Sequence, residues 1–261
     1  MFLIITSKRF KTVYIIRGME IEYEKKYHEV ERDNWWFVSR RKFLLDALKN
    51  VPKDSIILDI GCSSGIFLKE LASIGFKMEQ LYGIDISEKA IENCKNNGLQ
   101  NVFVMDAQNI TLTEKFDIIV ASDCLEHLQD DTKAIKNWCD LLQIGGVIYV
   151  FVPAFQSLWS SHDEVNMHFR RYTSTELKVI LQKEKLTILK SSYWNFFLFI
   201  PLYIFRKIDA VLSGNKKKEG HIIDGAMTNI ILLKLLLLEN WLLKFVNFPF
   251  GVSTFCIAKK K

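Results

Sequence analysis

Acidic residues recur where apolar runs end in this chain, and a glycine-bracketed turn follows the first of them. Asp59 ends the run that opens ILDIGCSSGIFLKEL (57–71), Asp85 ends the run within QLYGIDIS (80–87), and Asp106 ends the run within NVFVMDA (101–107). Gly61 and Gly65 let the backbone turn sharply and pass close to a ligand, with Cys62 and Ser63 between them. The Gly-x-x-x-Gly spacing differs from the Gly-x-Gly-x-x-Gly that seats a pyrophosphate on a helix N-terminus, so it favours a nucleoside ligand without phosphates. Asp85 follows the turn by about 20 residues, where a carboxylate accepts both hydroxyls of a ribose. A fourth run, FDIIVASDCLEHL (116–128), leads into Glu126 and His127.

A second concentration of reactive side chains lies in AFQSLWSSHDEVNMHFRRYT (154–173), with His162, Asp163, His168, Arg170, Arg171 and Tyr172. Either His162 or His168 is suited to general base chemistry, because a neutral imidazole titrates near the operating pH. His168 and Arg171 could alternatively hold a phosphate or carboxylate of a substrate. His162, Asp163 and His168 lack a diagnostic metal-ligand spacing, so no metal is expected. The bland alternative is that the segment only fixes the helix that starts near Ser174. His127 is expected to wall the ligand pocket.

The elements that must position these residues alternate along the chain. Apolar runs near 56–60, 80–85, 101–106, 117–122 and 147–152 read as strands, with helical segments near 65–73, 87–97 and 131–142 between them. Such alternation predicts an α/β fold with a doubly wound, mostly parallel sheet covered by helices on both faces. Ile144, Gly145 and Gly146 read as the turn into the fifth strand, which Pro153 ends. Thr173 and Glu176 form a capping box for a helix from Ser174 to Leu181. Two further strands, 186–194 and 252–260, remain; in doubly wound folds of this kind such a pair normally completes a seven-stranded sheet at one edge, with the last strand antiparallel.

Two regions fall outside that pattern. Residues 1–18 hold too short a hydrophobic stretch for a secretory signal. Met19 then opens a helix-prone segment, so residues 1–18 read as a dispensable upstream start. Residues 195–251 separate the last two strands, and a structureless loop of that length is improbable inside a compact domain. FFLFIPLYIF (196–205) is broken by Pro201, and IILLKLLLLENWLLKFVNF (230–248) reads as a long helix, apolar nearly all round, on which Lys234, Glu239, Asn240 and Lys244 do not share a side. Neither stretch is long and uncharged enough for a simple transmembrane span. The expected organisation is an N-terminal extension and capping helix (1–50), an α/β domain (51–194), a hydrophobic helical insertion (195–251) and the last strand (252–261).

Taken in order, the glycine turn and the strand-end acids resemble the class I S-adenosylmethionine-dependent methyltransferases, in particular the bacterial small-molecule enzymes of the type 11 domain group. The resemblance covers roughly 35–192 and the last strand. It implies S-adenosyl-L-methionine as cofactor, with Asp59, Gly61 and Gly65 lining its methionine part, Asp85 holding the ribose and Asp106 meeting the adenine amine. Cys62, Ser63, Ile86, Ala107 and Ser122 complete the implied cofactor set. Ser63 departs from the usual central glycine of the loop, and its small hydroxyl fits. Trp35, Trp36 and Phe37, placed just before a helix and followed by Arg40 and Arg41, resemble a cap over the cofactor pocket; alternatively the aromatics only staple that helix to the core. The implied acceptor contacts are Trp36, Arg40, Asp163, Arg170, Arg171 and Tyr172, with His162 and His168 as the catalytic pair.

Composition bounds the remaining choices. Charged residues at 25% and aromatic residues at 13% fit a globular protein. Five scattered cysteines without a Cys-x-x-Cys pair argue against a disulfide framework and a zinc site, and imply a reducing cytoplasm. The net charge of +5 divides into +6 over 194–261 and −1 over 1–193. Positive charge coupled to the greasiest region suggests peripheral contact with an anionic membrane surface and no nucleic-acid partner. The leading reading is a cytoplasmic methyltransferase acting on a hydroxyl of a small-molecule or lipid-linked acceptor. A nicotinamide-dependent oxidoreductase and a non-catalytic, membrane-associated cofactor-binding protein are the alternatives.

Overall fold

The computed structural model describes residues 30–212 and 226–261. The expectations for residues 1–18 and for the basic run Lys216, Lys217 and Lys218 fall outside the described residues. Seven strands, β1 (Ile57–Ile60), β2 (Leu81–Asp85), β3 (Asn101–Val104), β4 (Phe116–Ser122), β5 (Leu142–Pro153), β6 (Thr187–Trp194) and β7 (Ser253–Lys259), form one sheet. Their order is β3-β2-β1-β4-β5-β7-β6. β7 runs antiparallel to both β5 and β6, and the other neighbouring strands pair in parallel. This is the expected doubly wound sheet. The chain reverses its direction of travel across the sheet between β1 and β4, which opens a crevice at their carboxyl ends.

The helices are α1 (Trp35–Leu48), α2 (Ile66–Ser73), α3 (Glu88–Asn96), α4 (Asp131–Leu141), α5 (Ser161–Val165), α6 (Ser174–Lys183), α7 (Phe199–Leu212) and α8 (Ala226–Leu242). Alternation along β1 divides the core in two. Ile57 faces the layer that holds Leu44 and Leu48 of α1, Leu68 of α2, Cys94 of α3 and Leu236 of α8. Leu58 and Ile60 face the opposite layer, with Ile135 and Trp138 of α4 and Leu177 and Leu181 of α6. Each such buried side chain contributes about 1.5–3 kcal/mol, which is why the strands read as continuous apolar runs.

Local chemistry sets the helix starts. Thr173 and Glu176 form the expected capping box, with Glu176 Oε2 accepting from Thr173 N at 2.7 Å and Thr173 Oγ1 accepting from Glu176 N at 3.2 Å. Asn34 Oδ1 accepts from Trp36 N at 3.0 Å, so α1 begins at Trp35. Its aromatic residues therefore belong to the first turn and do not precede it. Pro201 lies in the first turn of α7, where a missing N–H breaks no helical bond, so it opens that helix where an interruption was expected. Residues 143–146 are taken up in an irregularity of β5, between the Phe116–Leu142 and Ile118–Val147 pairs, where a turn was expected.

The insertion is docked by its polar residues. α8 starts at Ala226 and ends at Leu242, earlier than the expected 230–248. Buried Glu239 accepts the backbone N–H of Phe196 at 2.8 Å and of Phe197 at 3.3 Å, as well as that of Asn195. Asn240 accepts from Trp194 Nε1 and donates to Ser39 O, both at 2.8 Å, tying β6 to α1. Asn229 Oδ1 accepts from Trp35 N at 2.7 Å. Asn229 and Glu239 thus accept backbone N–H groups at the start of α1 and the end of β6, and Asn240 bridges the two elements.

Glu239→Ala would leave three donors at the end of β6 without their acceptor. The expected loss is about 1–3 kcal/mol of folding stability, read as a lower urea midpoint. An unchanged midpoint would show that the carboxylate does not anchor the insertion.

Candidate active site

The crevice at the β1–β4 reversal is lined by Glu31, Phe37 and Arg40 on one side and by Asp59, Ser63 and Asp123 on the other. The loop after β1 takes left-handed backbone at Gly61 (φ 76°), Ser63 (φ 48°) and Gly65 (φ 74°). Ser63 thus occupies a conformation that costs a non-glycine residue about 1–2 kcal/mol. Two hydrogen bonds hold it there: Ser63 N donates to Asp85 Oδ2 and Ser63 Oγ donates to Glu31 Oε2, each at 3.0 Å. Ser64 Oγ donates to the same Glu31 oxygen at 2.7 Å.

Gly65 has a packing reason to carry no side chain. A Cβ there would lie 2.4 Å from Leu99 Cδ1 and 2.9 Å from Cys94 Sγ, so the position is set by packing of the loop on α3. The Cys62 thiol also turns inward, 3.9 Å from Cys94 Sγ, which leaves the backbone of Cys62 for the crevice. Asp85 is fixed at both oxygens, since its Oδ1 accepts from Ser87 N at 2.9 Å. Ile86, beside it, is 76% exposed and stands as a bare apolar surface next to the carboxylate. Asp106 is held by Gln108 N and Asn109 Nδ2, both at 2.8 Å, with half-buried Ala107 adjoining.

Charge in the crevice is unbalanced. Buried Asp59 is pushed up to about 8, first by loss of solvent and then by the neighbouring Glu31 and Asp85 carboxylates. The nearby cations are engaged elsewhere. Arg40 is buried in an ion pair with Asp123, donates to Ser122 Oγ at 3.3 Å and Ser253 Oγ at 3.2 Å, and sits over the rings of Trp36, Phe151 and Trp194. Arg41 pairs with Glu70 at 3.0 Å. The expected acceptor contacts Trp36 and Arg40 are therefore unlike each other: Arg40 lines the crevice, whereas Trp36 backs it, edge-on to Trp194 at 5.2 Å.

The segment after β5 folds largely upon itself. Asp163, fully buried, accepts from Arg171 Nε at 2.7 Å, Arg171 Nη2 at 3.1 Å, His168 Nδ1 at 2.9 Å and Ser160 N at 2.8 Å. Burial raises its carboxyl, but His168, Arg171 and the Ser160 N–H outweigh that and hold it well below the ordinary range. Arg171 also donates through Nη1 to Ala154 O at 3.0 Å. Arg170 pairs with Asp131 at 2.8 Å, and Tyr172 donates to the same carboxylate at 2.9 Å. The polar groups of Asp163 and Arg171, expected at the acceptor, instead lock the loop, because a buried guanidinium and carboxylate satisfy each other more completely than a ligand could. His162 is exposed, with its ring 6.4 Å from that of His168. His168 packs edge-on against His127 at 4.6 Å.

Glu31, Asp123 and Glu126 belong to these two clusters and escape a reading of the sequence. Asp123 is visible in principle as one more acid at a strand end. Glu31 lies in a generic polar stretch, and its place depends on the fold of α1. Glu126 carries both oxygens buried with no hydrogen-bond partner among the described residues.

Comparison with known proteins agrees with this architecture. Residues 34–191 match the family described as methyltransferase domain, and the chain belongs to that family. It is 33% identical over 103 residues to a ubiquinone biosynthesis O-methyltransferase of Coxiella burnetii, covering 37% of this chain and 43% of that protein. It is 30% identical over 137 residues to a tRNA (carboxymethyluridine(34)-5-O)-methyltransferase of Arabidopsis thaliana, covering 51% of this chain and 31% of the relative. The matches thus span less than half the length of these curated relatives. Among solved structures, a SAM-dependent methyltransferase of Thermotoga maritima superposes with a TM-score of 0.60 at 15% identity, covering 95% of this chain and 100% of its own. The N-methyltransferase NodS of Bradyrhizobium japonicum, solved with S-adenosyl-L-homocysteine, superposes with a TM-score of 0.51 at 22% identity, covering 63% and 82%.

Asp163→Asn should cost about 3–5 kcal/mol at neutral pH, because it leaves the Arg171 guanidinium buried without its counter-charge. The depressed carboxyl contributes stability that is present above the ordinary value of 3.8 and is lost as pH falls toward the folded-state value. Urea midpoints of wild type and variant should therefore converge as pH is lowered from about 7 toward about 2. A constant difference across that range would remove the ion pair from this account.

Proposed function

We propose, on the premise of that family membership, that the protein transfers a methyl group from S-adenosyl-L-methionine to a hydroxyl of a small-molecule or lipid-linked acceptor at the cytoplasmic face of a membrane. The observation that carries the first half is the acidic crevice. Asp59, Glu31 and Asp85 gather there while Arg40 and Arg41 are committed to Asp123 and Glu70, so a cationic ligand fits. When bound, the cofactor supplies an electrophilic methyl on a sulfonium, together with an ammonium group.

The chain's own residues do the rest by holding and orienting. Asp85, oriented by Ser63 N and Ser87 N, is the carboxylate that accepts from the ribose hydroxyls. Ile86 gives an apolar face beside it, and Asp106 accepts from the adenine amine. Asp59 carries the charge that favours the methionine end. In-line displacement then needs an aligned acceptor and little water, which is the kind of rate gain that positioning supplies.

The acceptor side supports an apolar partner. Val165, Met167 and Phe169 are exposed around His168, at 42%, 52% and 53%. α7 adjoins this loop, since Arg206 donates to Leu158 O and Phe199 packs on Phe155 at 5.6 Å. Its outer residues Ile200, Ile204, Phe205 and Ile208 are exposed, as are Ile230, Ile231 and Trp241 of α8. No helix among the described residues is long and apolar enough to cross a membrane, and this exposed apolar surface, with the net +6 of residues 194–261, supports contact along an anionic bilayer surface. The positive charge accompanies this apolar surface, so no nucleic acid is included as a partner. All five cysteines are free and buried, which suits a reducing compartment.

Incubation with methyl-labelled S-adenosylmethionine and separate lipid and aqueous extracts should label the lipid fraction, and label in neither fraction would refute the reading. Asp85→Ala should weaken S-adenosylhomocysteine binding by about tenfold or more, as calorimetry would measure. Glu replacing Ile204 and Phe205 should abolish co-sedimentation with anionic liposomes while leaving that affinity intact. Wild-type protein that stays in the supernatant would exclude docking on lipid.

A further inference from the structure

Glu126, His127 and His168 come together at one point. One ligating atom from each lies within 4.8 Å of the other two. Glu126 is fully buried, and neither carboxylate oxygen has a hydrogen-bond partner among the described residues. The backbone bond from Phe169 N to Glu126 O, at 2.8 Å, clamps the loop that carries His168 onto the turn that carries Glu126. A buried carboxylate facing imidazole nitrogens is costly unless something positive stands between them.

Among the described residues, the two arginines that act on Glu126 already have carboxylate partners. Arg171 is neutralised by Asp163 and Arg40 by Asp123, so Glu126 is left over once the local ion pairs are counted. Asp163 does more than neutralise. By accepting from His168 Nδ1 at 2.9 Å it fixes that ring as the tautomer whose Nε2 carries the lone pair. A carboxylate behind an imidazole is the outer-shell arrangement that orients a histidine toward a metal.

We infer that Glu126, His127 and His168 bind one divalent first-row transition cation at the acceptor end of the crevice. Two imidazoles and one carboxylate suit zinc, manganese or iron and leave coordination positions open. Glu126 lies three residues beyond Asp123, which lines the crevice, so the site adjoins the crevice along the chain. The inference rests on the methyl-transfer reading for its role. A coordinated acceptor hydroxyl loses its proton to water more readily. Its oxygen then forms the bond to the methyl carbon, and the carbon–sulfur bond breaks with the electron pair left on sulfur. No side chain need then act as base, which accounts for an acceptor loop whose Asp163 and Arg171 serve only to hold His168.

The test uses the full-length protein stripped with chelator and titrated with cobalt(II) chloride, followed by visible absorption and by elemental analysis, and with zinc chloride as competitor. One equivalent should bind, and Glu126→Gln and His168→Ala should each weaken binding by roughly tenfold or more. Glu126→Gln is close to isosteric and should keep S-adenosylhomocysteine affinity within about twofold, which separates loss of the cation from loss of the fold or the cofactor site. No saturable binding at millimolar cobalt, or binding unchanged in both variants, would overturn the site and leave a proton shared among the three groups. Cobalt bound in one equivalent without labelling of any extract would keep the site and refute the methyl-transfer reading. Labelling that continues undiminished in the stripped protein and in Glu126→Gln would overturn the role given to the cation.

Discussion

A carboxylate buried without a counter-ion is the constraint around which this molecule is arranged. Asp59 must lie inside the sheet because β1 is covered on both faces, and it must share its surroundings with Glu31 and Asp85 because the loop after β1 folds back over β2. Among the described residues the nearest arginines are committed to other acids, so the Asp59 carboxyl keeps its proton until the pH rises through about 8. A raised carboxyl of this kind contributes stability below its unfolded value and loses it as pH rises through about 8. The ligand-free crevice is therefore the strained state, and a cationic ligand is what restores balance.

The same logic of partnered and unpartnered charge divides the rest of the site. Ion pairs that are complete, Asp163 with Arg171 and Asp123 with Arg40, behave as scaffolding: they hold a loop and a helix where the crevice needs them. Groups left incomplete, Asp59 and Glu126, are the ones that face ligands. Arg40 illustrates how much of the positioning is indirect. Its guanidinium is caged by Trp36, Phe151 and Trp194, so Trp36 in the first turn of α1 helps set a cation on the crevice wall without itself lining the crevice.

Much of this was legible in the sequence because the signals are local. A strand buried on both faces has to be an apolar run, and an acid that ends it falls at the carboxyl edge by geometry alone; Asp59, Asp85 and Asp106 are read in that way. Thr173 and Glu176 are likewise a contact three residues apart. What stayed hidden depends on residues distant in the chain. His162, Asp163, His168 and Arg171 look the same in sequence whether they face a ligand or one another, and only the folded loop separates Asp163 and Arg171 from the exposed His162. Glu239 and Asn240 interrupt an apolar helix without pattern until the end of β6 is brought against them. Glu126 gains its meaning from a loop that closes over it some forty residues later.

The central claim, that an unquenched Asp59 charge selects a cationic ligand, is open to a single calorimetric comparison. Affinities for S-adenosylmethionine and for S-adenosylhomocysteine, which lacks the sulfonium charge, would be measured at about pH 6 and about pH 9 in wild type and in Asp59→Asn. As Asp59 ionises through about 8, the preference of wild type for the sulfonium should rise several-fold, by at most about tenfold per pH unit. In Asp59→Asn the preference should be smaller and should not rise through that range. A wild-type preference that is flat with pH, or one that Asp59→Asn leaves unaltered, would contradict the account.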